Sequence, residues 1–176
     1  SRKPEGRTVQ LQSMRELIAL QKSVLFLRND PERGFGKRKN INVWWRGRAA
    51  NADLMLLLAY LIKQHRSWKD ATVRLLIIID NQEGVNPYQE HMEDLLDQVH
   101  VDAEPVVIPR TDPAQSFTEI MSDASDDADL TILGIKLPEA DDVESYSDNL
   151  NRLAEAVGTV LLVRSADIDE DLLATN

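Results

Sequence analysis

The sequence contains no cysteine, which removes disulfides, thiol nucleophiles and Cys-ligated zinc at once. Glycine is scarce, with only 7 in 176 residues. A phosphate cradle needs glycines so that backbone N–H groups can reach the anion at a helix start, and neither G-x-G-x-x-G nor G-x-x-x-x-G-K-[ST] occurs. The nearest feature, GFG at Gly34–Gly36 followed by KRK, precedes a strand pattern, so its geometry is wrong for that task. No apolar run approaches the ~20 residues that span a bilayer; the longest is Leu54–Ile62. The opening SRKPEGRTVQ lacks the apolar core of a signal peptide. It reads as the middle of a longer protein, cut at a linker. Basic residues are rare beyond Arg74: residues 75–176 carry 4 Lys and Arg against 24 Asp and Glu.

Against these absences stands an ordinary globular composition. A hydrophobic content of 43% is too high for a disordered chain and enough for one domain with a sizeable core. The net charge of −10 is unevenly spread, because residues 1–74 carry 16 Lys and Arg against 6 Asp and Glu. A dipolar surface of this kind marks either a solvated exterior or a face that docks a partner by charge. The acidic half argues against nucleic acid, which needs a positive footprint over its phosphates.

The chain alternates regularly. Arg7–Gln21 reads as a helix, with Leu11, Met14, Leu17 and Ile18 on one stripe. Ser23–Asn29 is a short strand, and Asp30–Asn40 a loop with Pro31, Gly34 and Gly36. INVWW opens a run of five strands and four helices. The strands continue with Ala71–Ile79, Glu104–Pro109, Asp129–Ile135 and Gly158–Arg164. The helices are Ala52–Gln64 with Asn51 as N-cap, and Asn86–Val99 with Pro87 in its first turn. They continue with Asp112–Ala124, with Asp112 as N-cap, and Asp141–Val157, closed by Gly158. Strands apolar nearly throughout belong in a parallel sheet covered on both faces. The expected fold is therefore α/β: a doubly wound, mostly parallel sheet of five to six strands with helices on both faces. Counted from INVWW, the strand order is 3-2-1-4-5, with Ser23–Asn29 as an added edge. The whole chain, 1–176, reads as one domain. Residues 1–40 form the leading helix, edge strand and basic loop, 41–165 the core sheet, and 166–176 an acidic tail.

Catalytic signatures are missing. No G-x-S-x-G is present, and no acid, base and nucleophile pair at recognisable spacing, so no catalytic residue is assigned. His65, His91 and His100 lack the i, i+4 spacing of a helical metal pair and read as surface residues. The acidic Asp123–Asp129 lacks the central glycine and terminal Glu of a calcium loop and reads as a solvated loop entering a strand. Neither a metal nor a cofactor is expected. In VWWRGR, Trp44 and Trp45 must face opposite sides of their strand, each under a different helix layer. Arg46, Gly47 and Arg48 then lie at the carboxyl end of the central strand, where open α/β sheets bind ligands. Gly134, Lys136 and Leu137 would face them. The alternative reading is an adenine-nucleotide site at Arg46, Gly47, Arg48, Gly134 and Lys136.

NINVWW, the apolar LLLAYLI helix and SWKDATVRLLII resemble a stretch of the C-terminal cytoplasmic domain of cation–chloride cotransporters. That family has an "IDVWW" strand, an "LLIPYLL" helix and a "WKDCKIRVF"-like strand. DADLTILGIKLPEA and VGTVLLVRSA are similar to its last two strands. The segment 85–126 is the least similar. Family members often carry a longer, phosphorylatable insertion before the late strands, where this chain is short and acidic. The resemblance implies a universal-stress-protein-like fold and a regulatory, dimerising, non-catalytic module at the cytoplasmic face of the cell membrane. It would be attached to a transmembrane domain that carries Cl⁻ with Na⁺ and/or K⁺. Universal stress proteins that bind ATP use glycines after the fourth strand. Here that place reads GIKLPEADD, so kinship does not carry nucleotide binding with it.

Overall fold

The computed structural model describes residues 13–45, 51–136 and 143–166. The apolar runs become the strands of one six-stranded sheet. These are β1 (Val24–Arg28), β2 (Asn40–Trp44), β3 (Thr72–Ile79), β4 (Glu104–Pro109), β5 (Leu130–Gly134) and β6 (Val160–Arg164). The sheet order is β1-β6-β5-β2-β3-β4. The added edge strand β1 runs antiparallel to β6, with Val24 opposite Arg164 and Arg28 opposite Val160. All other pairings are parallel. This is the expected order 3-2-1-4-5 with its extra edge.

Alternation along the strands divides the core. On one face, Ile41, Val43 and Trp45 continue into Val73, Leu75, Ile77 and Ile79. Helix α2 (Ala52–Gln64) covers them with Met55, Leu56 and Ala59, and α3 (Val85–Gln98) with Met92, Leu95 and Leu96. On the other face, Trp44, Leu76, Leu133 and Leu162 lie under Met14 of α1 (helical over residues 13–19). Met121 and Ala124 of α4 (Phe117–Ala124) and Leu150, Leu153 and Ala154 of α5 (Val143–Ala156) complete that layer. The adjacent tryptophans do face opposite ways, at 6% and 5% exposure.

Two helix boundaries differ from the expected ones. The leading helix ends at residue 19, and Gln21 turns left-handed at φ 54; Leu11 and the rest of 7–12 lie outside the described residues. Helix α4 begins at Phe117, not near Asp112. Ser116 caps it by accepting from Glu119 N, and the Glu119 carboxylate accepts from Ser116 N, a reciprocal capping box. Asp112 instead closes a tight turn by accepting from Ala114 N. Local bonding at Ser116 outcompetes the earlier Asp-Pro start.

Candidate functional site

Two rims of the sheet carry polar side chains. The carboxyl rim is where an α/β sheet of this topology binds ligands, at the reversal of strand order between β2 and β5. Asn51, buried at 8% exposure, sits there at the start of α2. Asn51 holds the expected N-cap position of α2, with Met55 N donating to its carbonyl, but its side chain makes no capping bond. Its Nδ2 donates to Ile135 O at 2.9 Å, and its Oδ1 accepts from Ser165 N at 2.8 Å. One amide thus ties the ends of β5 and β6 to α2. It fills the space over Gly134, where an added Cβ would lie 3.0 Å from Asn51 Nδ2 and 3.4 Å from Met55 Sδ.

Of the residues named for a nucleotide, Gly134 ends β5 against Asn51. The backbone N–H of Lys136 donates to Tyr146 Oη at 3.1 Å, and burial pushes the Tyr146 hydroxyl above its usual range. Arg46, Gly47, Arg48 and Leu137 lie outside the described residues. A depression between α3 and β4, lined by Glu93, Asp97, Asp102 and Pro105, lies at the far edge of the sheet. His65, His91 and His100 are exposed.

The amino rim is more heavily bonded. The loop after β1 crosses the starts of β6, β5 and β2. Asp30 Oδ1 accepts from Glu32 N and Arg33 N. Those backbone bonds, ahead of the Arg28 and Arg33 charges, hold its carboxyl below the ordinary range. Thr159 Oγ1 accepts from Asp30 N and donates to Gly34 O. The Asp129 carboxylate accepts from Lys37 N at 2.9 Å, Lys39 N at 2.5 Å and Asn40 N at 3.1 Å. Gly36, at φ 45, makes room for it, since any Cβ there would overlap Asp129 Oδ1.

Below that loop the acidic segment is engaged. Arg74 Nη2 donates to Asp127 Oδ1 at 2.6 Å, which lowers the Asp127 pKa. Arg74 Nε donates to Asn42 Oδ1 at 2.7 Å. Asn42, fully buried, donates onward to Ala124 O and Ser125 Oγ, and Trp44 Nε1 donates to the same Ser125 Oγ. Arg33 binds Asp126 through both its backbone and side-chain oxygens. The reading of Asp123–Asp129 as a solvated loop entering a strand holds for the exposed Asp123, Asp126 and Asp127, but Ser125 is buried, and Asp127 and Asp129 are hydrogen-bond acceptors for residues far away in sequence. The available signal was two oppositely charged loops, GFGKRKN and DASDDAD, each leading into a central strand.

A family model of solute carrier family 12 matches residues 29–117, half of the chain and the whole Ile41–Ile79 block. The chain belongs to solute carrier family 12. A crystal structure of the cytoplasmic domain of a prokaryotic cation chloride cotransporter superposes on this family member with a TM-score of 0.72 at 18% identity. It covers 98% of this chain, and this chain spans 64% of that one. A universal stress protein from Archaeoglobus fulgidus DSM 4304 shares the fold, with a TM-score of 0.56 at 11% identity over 85% of this chain and 52% of its own. No curated protein matches. Among the described residues of this solute carrier family 12 chain, no helix is long and apolar enough to cross a membrane.

Proposed function

We propose that this chain is a non-catalytic cytoplasmic module of a cation–chloride cotransporter, a single domain that regulates the attached transmembrane part and pairs with a second copy. The observation that carries the reading is the family match through the two central strands, joined to a common fold with a cotransporter's cytoplasmic domain. Regulation and dimerisation fit a module with no recognisable catalytic set. Pairing has one structural support: Leu25 and Leu27 of β1 and Tyr60 and Leu61 of α2 are exposed on the α2 side of the sheet. A tethered pair meets at high effective concentration, so a modest interface suffices.

Two measurements test this. The coding sequence upstream of Ser1 is expected to encode several apolar segments of ~20 residues; a start codon immediately before Ser1 sinks the transporter reading. Sedimentation velocity from low to high micromolar protein is expected to show reversible association. A monomer throughout removes pairing from this chain. Adenine nucleotides are expected to bind more weakly than ~10 μM, because Asn51 occupies the crevice floor and no glycine run follows Ile135. Titration calorimetry with ATP showing tighter binding transfers the function to a nucleotide sensor at Arg46, Gly47, Arg48, Gly134 and Lys136.

A further inference from the structure

We infer that the amino rim of the sheet carries a docking surface for an anionic membrane leaflet, formed by Lys37, Arg38, Arg66 and Lys69. The inference rests on the reading above, in that a module hung from a transporter stays close to lipid.

The two loops that bear these residues are joined by direct contacts. Phe35 meets Trp68 edge-on, with ring centroids 6.0 Å apart. Thr72 N donates to Lys39 O at 2.7 Å, and Lys39 Nζ lies 3.8 Å from Asp70. The Asp129 carboxylate draws the backbone of Lys37 and Lys39 inward, so the loop's own side chains are left on the outside. Lys37, Arg38, Arg66 and Lys69 are all exposed. None of them forms an ion pair among the described residues, although Arg33, Lys39, Lys63 and Arg74 all do. The acids of these two loops are Asp30, Glu32 and Asp70; Asp30 accepts from the backbone of Glu32 and Arg33 and lies 3.8 Å from Arg28, and Asp70 faces Lys39.

Arg38 adds a second observation. It holds φ 56, a left-handed conformation that glycine adopts without penalty and arginine does not. Its N–H closes a turn onto Phe35 O at 3.1 Å. The turn needs only the backbone, so the charged side chain contributes nothing to the fold that glycine would not.

The chemistry of the partner follows from the arrangement. Four long cationic side chains stand on exposed loops rather than converging on a buried point. That arrangement fits a diffuse field of headgroups, with each cation near an anionic leaflet worth about fivefold in partition, about 1 kcal/mol. Asp126 and Asp127, exposed at this rim, are already paired with Arg33 and Arg74, and a further exposed row, Glu90, Glu93, Asp94 and Asp97, lies along α3. A net charge of −10 repels an anionic surface unless the domain turns this rim toward it.

The test is co-sedimentation of the whole 176-residue chain with phosphatidylcholine vesicles and with mixed phosphatidylcholine–phosphatidylserine vesicles. Binding is expected only to the mixed vesicles, at about 0.1 M salt, and is expected to vanish at about 1 M, where the screening length is about 3 Å. Lys37→Ala, Arg66→Ala and Lys69→Ala should each lower the partition about fivefold. Arg38→Gly should do the same while leaving the melting temperature unchanged or raised, which a merely structural arginine would not. Equal behaviour on both vesicle types, or wild-type partition in the variants, overturns the proposal. So does capture by soluble polyglutamate in place of vesicles, which would make the partner an acidic protein segment. The transporter reading is decided separately by the upstream coding sequence, so either result can fail without the other.

Discussion

Among the described residues, the two rims of this sheet are tied to its centre by different groups. At the amino rim, three backbone N–H groups converge on Asp129, and a relay runs from Asp127 through Arg74 and Asn42 to Ser125 and Trp44. At the carboxyl rim, one buried amide, Asn51, bridges β5, β6 and α2. Ligand-binding α/β proteins concentrate their polar groups at the carboxyl rim. Here most of the described polar machinery lies on the other side, engaged in holding loops to strands.

The largest expected effect comes from the residues that join the rims to the core. Trp44→Ala and Trp45→Ala should each cost about 3–5 kcal/mol, the usual range for removing a buried large aromatic. Phenylalanine separates the two positions. Trp45→Phe removes only volume, whereas Trp44→Phe also strips the indole N–H from Ser125, worth about 1 kcal/mol more. Urea melts measure both. Equal losses for the two Phe variants would mean that the relay stops at Asn42 and does not extend to Trp44.

The next effect sets rim against rim. Asn51→Ala removes the side-chain bonds to Ile135 O and Ser165 N in a buried place, at about 1–2 kcal/mol for each bond. Asp129→Ala frees three N–H groups, but Lys37 and Lys39 are exposed and water can replace the carboxylate. The expected order is a loss of about 2–4 kcal/mol for Asn51→Ala and about 1–2 for Asp129→Ala. The reverse order in denaturant melts would show that water already reaches the carboxyl rim.

Sequence patterning carried the architecture because each strand announces itself locally. TVRLLIII is apolar on both faces and becomes the doubly covered β3. SVLFLRN is a short apolar run and becomes the antiparallel edge β1, where burial alternates along the strand. What the pattern hid was non-local. Asn51 stands at a helix start, where local rules make it a cap, yet its partners lie 84 and 114 residues away. Asp129 reads as one more charge in an acidic run, and only folding brings GFGKRKN over it. The late start of α4 was legible and missed: Ser116 and Glu119 have the spacing of a capping box, which outranks the Asp112–Pro113 signal upstream.

The smallest expected effect is a difference in acid sensitivity, because Asp30 and Asp127 at the amino rim act as ionised carboxylates whereas the Asn51 bridge at the carboxyl rim is an amide. Asp127 is held below its ordinary pKa first by its hydrogen bond from Arg74, and Asp30 first by the N–H of Arg33. A depressed pKa means that the folded state holds its carboxylate ionised more strongly than the unfolded chain does. The stability this gives is complete well above the unfolded value of about 3.9, and it drains as pH falls through the lower folded value. Thermal melts from pH 7 downward should therefore stay flat until about pH 5 and then decline. The Arg74–Asp127 pair is largely solvent-exposed on the aspartate side, at 62%, so its share is under about 1 kcal/mol. Asp127→Asn should lower stability by that amount at pH 7 and make the decline shallower below pH 4, since the variant has no proton to gain there. Asn51→Ala should shift the whole curve down without changing its slope. An acid limb as steep in Asp127→Asn as in the wild type would show that the rim's pH dependence resides in Asp30 and the loop it folds.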